Sequence, residues 1–115
     1  MPITVYKALA DETRLKALLM IKAEQALCVC ELMTALGEVQ PKVSRHLAQL
    51  KKANLLVDRR QGQWVFYYLN PAMPTWVAKV LDQTYTANQA LINDPLARLS
   101  AMGDRPQRTR VCCDI

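Results

Sequence analysis

The sequence predicts a mainly α chain with one β-hairpin, and the spacing of its apolar residues carries that expectation. Up to Asn54 they recur at three and four residues, the period of amphipathic helices. From 55 to 70 they alternate about a single glycine, and after Pro74 the helical period returns. Two short helical segments joined by a few residues around Gly37 precede the hairpin, which is the spacing of a helix-turn-helix. Helix, helix-turn-helix, hairpin, helix is the order of a winged helix-turn-helix.

The first helix is expected in "DETRLKALLMIKAE". Asp11 is its N-cap, and Leu15, Leu18 and Leu19 form its apolar stripe. "CELMTALG" reads as a short helix with Leu32 and Leu36 four apart, stopped by Gly37. "VQPKVSRHLAQLKKAN" follows, with Pro41 tolerated in the first turn. Val43, Leu47 and Leu50 face inward there, whereas Lys42, Ser44, Arg45, His46, Gln49 and Lys52 face outward. "LLVDRRQGQWVFYYLN" is a hairpin turning at Gln61-Gly62-Gln63 and ended by Pro71 and Pro74. A last helix is expected over 75–92, with Val77, Val80, Leu81, Thr84, Leu91 and Ile92 on one face. That face is more apolar than so small a core requires, and predicts a homodimer through the terminal helices. Asp94-Pro95 ends the helix. Residues 1–92 thus form a DNA-binding and dimerisation domain, and 93–115 a basic, flexible tail carrying Cys112 and Cys113.

At 115 residues the chain suits one domain that buries a core without disulfides. No apolar run is long enough to span a bilayer, and the basic tail lacks an apolar face, so no membrane partner is expected. "MPITVYKALADE" has no basic segment leading into an apolar one, which predicts a cytoplasmic chain with reduced thiols. Fifteen Lys and Arg against ten Asp and Glu give a net charge of +5, suited to a polyanion without requiring one.

Short polar and basic side chains near the start of a recognition helix can reach base edges in the major groove. Gln40, Lys42, Ser44, Arg45, His46 and Gln49 have the right types. In isolation they would be only the solvated face of a helix. Followed by a wing bearing Arg59, Arg60 and Gln61, they point to double-stranded DNA. The wing arginines add salt-dependent affinity more than sequence choice. His46, the sole histidine, has no partners at zinc-ligand spacing and is assigned to the helix surface or to DNA contact. Trp64, Phe66, Tyr67 and Tyr68 are assigned to hairpin packing rather than base stacking.

"LADETRLKALLMI", "LCVCEL" and "VSRHLAQLKKANLLVDRRQGQWVFYYL" closely resemble the ArsR/SmtB family of bacterial metal-responsive repressors, over roughly residues 4 to 92. The resemblance implies a homodimer that holds operator DNA when free of its inducer and needs no cofactor to do so. "LCVCEL" resembles the branch that senses trivalent arsenic or antimony through thiolates, and a cadmium- and lead-sensing branch shares it. The family's terminal-helix zinc site requires a histidine, and that helix has none here.

Cys28 and Cys30 are therefore candidate ligands. Residues two apart in a regular helix point to nearly opposite sides, so this pair can chelate only where the backbone is extended or opens. Thiolates select soft acceptors and exclude Mg²⁺ and Ca²⁺. The resemblance places a third thiolate one turn later, where this chain has Met33, a weak neutral donor. Either Cys112 or Cys113 completes the site, or the pair alone takes a monosubstituted organoarsenical, or the tail cysteines form a separate site. The rival for all four is ordinary packing or unused surface thiols. A thiol enzyme is disfavoured, because neither a C-x-x-C at a helix start nor a βαβ pattern surrounds Cys28. A redox-sensing DNA binder shares every DNA-facing expectation.

Overall fold

The computed structural model describes residues 2–103, and in them the expected helices and hairpin form, with two further helices. Helix α1 (Pro2–Leu9) begins on a proline, tolerated there because the first helical N–H has no partner anyway. Helix α2 (Glu12–Glu24) starts as its sequence predicts, with the Asp11 carboxylate accepting from the Arg14 backbone N–H at 2.9 Å. Its apolar surface is wider than one stripe. Ala17, Leu18, Leu19, Met20 and Ile21 are all buried, so α2 is the central helix of the molecule. Strand β1 (Leu27–Cys28) leads directly into α3 (Val29–Leu36), and Gly37, at φ 67°, closes that helix with its N–H on the Met33 carbonyl. Helix α4 (Gln40–Lys52) follows, its inward stripe of Val43, Leu47 and Leu50 buried as expected.

Strands β2 (Leu56–Gln61) and β3 (Trp64–Leu69) are joined by Gly62-Gln63, with Gly62 at φ 64°. A glycine at the first position of a two-residue hairpin loop supplies the positive φ that a tight turn requires. Strand β1 adds to the far side of β3, giving an antiparallel sheet of order β1-β3-β2. Cys28 thus lies opposite Phe66, which lies opposite Arg59 on the third strand.

The C-terminal third departs from expectation. Helix α5 (Thr75–Ala87) stops at Asn88, and a 3-10 turn (Gln89–Leu91) leads into α6 (Asn93–Ala101). Asp94-Pro95 does not end a helix; it lies in the first turn of one, where a missing N–H costs little. The domain boundary expected at 92 therefore moves outward, because α6 packs on α3 with Pro95 and Leu99 buried. Arg98 Nε donates to the Ala35 carbonyl at 2.8 Å, placing a cation at the C-terminal end of α3. Val77, Leu81 and Ile92, expected to face a partner, are buried inside their own chain. The large apolar side chains left outside are Ile3, Tyr6, Val39 and Trp76, and the Tyr6 and Trp76 rings lie 5.8 Å apart. No described helix is long and apolar enough to cross a membrane.

The α2 cap carries a pH dependence. The hydrogen bond from the Arg14 N–H holds the Asp11 carboxyl below the usual carboxylate range, outweighing partial desolvation. A depressed folded-state value adds stability that is fully present above the ordinary carboxylate range and is lost as pH falls through the depressed value. Asp11→Ala should cost about 1 kcal/mol at neutral pH. Thermal unfolding of the two proteins should differ at pH 7 and converge in acid; a difference that persists there would assign the loss to another cause.

Candidate nucleic-acid interface and thiolate site

Helix α4 presents most of its expected polar face. Gln40, Arg45 and Gln49 are exposed, and Lys42 and Ser44 half-buried. Lys42 pairs at 2.9 Å with Glu38, which sits in the turn joining α3 to α4. A solvent-accessible i,i+4 pair of this kind contributes little to stability, and the lysine can exchange its carboxylate for a phosphate.

His46 is the correction on this helix. It is 7 % exposed, with its ring turned toward α2 instead of outward. Position 46 is three residues after Val43 and four before Leu50, which puts it on the buried stripe. Arg14 Nη1 lies 3.3 Å from His46 Nδ1, and His46 Nε2 is 4.0 Å from Asp11 Oδ1. The guanidinium can only donate, so Nδ1 accepts and the ring proton sits on Nε2, toward the carboxylate. The same guanidinium donates to the carbonyls of Ala8 (2.8 Å) and Lys7 (3.2 Å) and to Gln49 Oε1 (2.6 Å). Arg14 therefore ties the end of α1 and the start of α2 to α4. Its role was not read from the sequence, where nothing in "DETRLK" distinguishes it from a solvated arginine.

The wing residues Arg59, Arg60 and Gln61 are all exposed on β2. Arg59 lies over the Tyr68 ring at 5.3 Å, and Gln61 Nε2 donates to the Tyr68 hydroxyl at 2.9 Å. The cation–π contact orients Arg59 without neutralising it. Lys51 at the end of α4 pairs with Asp58 on β2 at 3.0 Å, bracing the wing against the helix. Helix face and wing thus form one positive, donor-rich surface.

Cys28 and Cys30 lie at the junction between β1 and α3. Cys28 has extended geometry (φ −91°, ψ 167°) as the N-cap, and Cys30 stands in the first turn. This is the non-helical start that chelation by residues two apart requires. The N-cap N–H of Cys28 is satisfied by the buried Glu31 carboxylate at 3.0 Å, so the junction is fixed by a side chain three residues on. Cys28 is 3 % exposed and packs with Ala26 and Phe66; Cys30, Trp64 and Tyr68 border the same group. Met33 packs instead against the main core, away from that cluster. The indole N–H of Trp64 is buried and has no hydrogen-bond acceptor among the described residues. Among the described residues, no three His, Cys, Asp or Glu side chains gather into a metal site. Cys112 and Cys113 lie outside the described residues.

A family model described as "Bacterial regulatory protein, arsR family" matches residues 11–57. The chain is 54 % identical over 112 residues to "Arsenic resistance transcriptional regulator ArsR2" of Pseudomonas putida, covering 97 % of each. It is 47 % identical over 108 residues to "Arsenical resistance operon repressor" of Escherichia coli, covering 90 % of this chain and 92 % of that one. Among solved structures, HlyU from Vibrio cholerae superposes with a TM-score of 0.68 at 32 % identity, over 76 % of this chain and 91 % of that one.

If the wing arginines meet phosphates, Arg59→Ala with Arg60→Ala should weaken binding to all duplexes alike. The plot of log affinity against log salt should flatten by roughly 0.9 for each phosphate contact removed. An unchanged slope in mobility-shift titrations at several salt concentrations would place the wing away from DNA.

Proposed function

The chain belongs to the arsR family of bacterial regulatory proteins, and from that premise we propose that it is a homodimeric repressor released from operator DNA by trivalent arsenic or antimony. The observation that carries the inducer half is the extended backbone at Cys28 beside the first turn holding Cys30. Once Cys30, disulfide-bonded in this structure, is reduced, two thiolates can be drawn onto one soft atom here. With arsenite, each As–S bond forms as one As–OH bond breaks, and the thiol proton leaves with the hydroxide as water. A third sulfur from Cys112 or Cys113 would complete a pyramid. Without that third sulfur, an arsenical bearing one organic substituent satisfies the pair.

Release follows from what the junction touches. Helix α3 packs on α4, and β1 is hydrogen-bonded to β3, so a bend at Cys28 displaces the recognition helix and the wing together. A dimer reads half-sites about 34 Å apart, and a small rotation in each subunit misaligns both. Couplings of about 1–3 kcal/mol change affinity roughly 5–150-fold, sufficient for induction. The dimer surface is assigned to Ile3 and Tyr6 of α1 with Trp76 of α5, exposed at 59 %, 52 % and 39 %. Apolar side chains of this size gathered at one surface mark an interaction site.

Two outcomes are expected. Arsenite should release a mobility-shifted operator duplex from the wild type and from neither Cys28→Ser nor Cys30→Ser; release from the double variant would refute the site. Cys112→Ser with Cys113→Ser should raise the arsenite needed if the tail supplies the third sulfur, and leave the response intact if the pair acts alone. Separately, Tyr6→Asp with Trp76→Glu should convert the dimer to monomer in analytical ultracentrifugation. A dimer that survives both charges must use another face.

A further inference from the structure

The contact between Arg14 and Gln49 fixes more than the position of α4. Arg14 Nη1 donates to Gln49 Oε1 at 2.6 Å, and a guanidinium offers donors only. The Gln49 amide must therefore turn its oxygen toward Arg14 and its NH₂ group away. Arg14 is not free to yield, because its Nε and Nη2 are held by the carbonyls of Ala8 and Lys7 and its backbone N–H by Asp11. Gln49 itself is exposed on the polar face of α4.

A glutamine reads adenine with both ends of its amide, the oxygen accepting from N6 and the nitrogen donating to N7. With its oxygen turned onto Arg14, which takes one of its two lone pairs, Gln49 presents its NH₂ donors to a base edge. The base edge that matches a pair of donors is guanine, whose O6 and N7 both accept. We propose that Arg14, by orienting the Gln49 amide, makes it present its NH₂ donors to the base and so select guanine at one position of each half-site. This rests on α4 being the recognition helix, and adds to that assignment which base a named residue prefers and why.

The test is selection of the full chain against a random-sequence duplex pool, followed by affinity for single-base variants of the selected duplex. The wild type should prefer guanine at one position that Gln49→Ala makes indifferent, a loss of roughly tenfold in discrimination. Arg14→Met should shift that position from guanine toward adenine and leave the others as they were. Because Arg14 also closes α1, Gln49→Lys serves as a second variant: its ammonium has donors only and should keep the guanine preference without Arg14's help. Adenine preferred by the wild type at the Gln49-dependent position would overturn the proposal. So would guanine retained by a folded Arg14→Met protein, or a Gln49→Ala protein unchanged at every position. In those three outcomes the repressor assignment stands, since the duplex is still selected. Failure of the wild type to enrich any duplex would overturn both.

Discussion

Burial of the middle of α2, Ala17 to Ile21, on every side is the constraint from which the other elements take their places. Ala17 to Ile21 have essentially no solvent exposure, so this helix cannot lie on the surface with one face inward. It must be enclosed, and α1, α3, α4, β1 and β3 all contact it. Two of those elements carry chemistry at their far sides, α4 its polar face and β1 the first cysteine. A packed interior does not deform continuously, so a displacement of one enclosing element is passed to its neighbours as a shift of whole elements. In a chain this small, the junction proposed to bind the inducer and the surface proposed to read DNA are mechanically coupled through α2.

Much of this was legible in the sequence where a residue has one dominant physical use. Asp11 caps α2, Gly37 and Gly62 take the positive φ that their turns demand, and Pro41 sits in a first turn. The hairpin followed from alternation. What was missed lacked such a signature. Helix α1 has eight residues and buries only Val5 and Ala8, too few for a period to declare itself. Asn88 interrupts the terminal helix without a proline or glycine, and Pro95 reads as a terminator although a first turn accepts it equally well. His46 was legible and misjudged: its spacing from Val43 and Leu50 marks the buried face, and its polarity was allowed to override that spacing. The partners that make its burial tolerable, Arg14 and Asp11, are more than thirty residues away and leave no local trace.

That network also separates two kinds of polar residue on α4 that composition treats as one. Arg45 and Gln40 face solvent and can adapt to whatever they meet. His46 is withdrawn into the protein, and Gln49 is exposed but oriented by Arg14. A preoriented amide loses less freedom on meeting a base, and leaving one of its groups unpaired costs more. If Gln49 meets a base as proposed, specificity at that position is set one residue behind it, by Arg14.

The choice of cysteine at position 28 has a structural consequence beyond its affinity for soft ions. An N-cap is best filled by Ser, Thr, Asp or Asn, and a thiol sulfur is a weak acceptor. Helix α3 therefore begins on a poor cap, with the Glu31 carboxylate reaching back to the Cys28 N–H to compensate. The Cys28 sulfur accepts in turn from the Glu31 backbone N–H, so this junction rests on a reciprocal capping box and on the pairing of a two-residue strand, both of which a small backbone rotation can disturb. Serine in place of Cys28 would keep the size, improve the cap and abolish the soft donor. The fold should therefore tolerate the change that removes the soft donor proposed here, even though Cys28 is packed against Ala26 and Phe66.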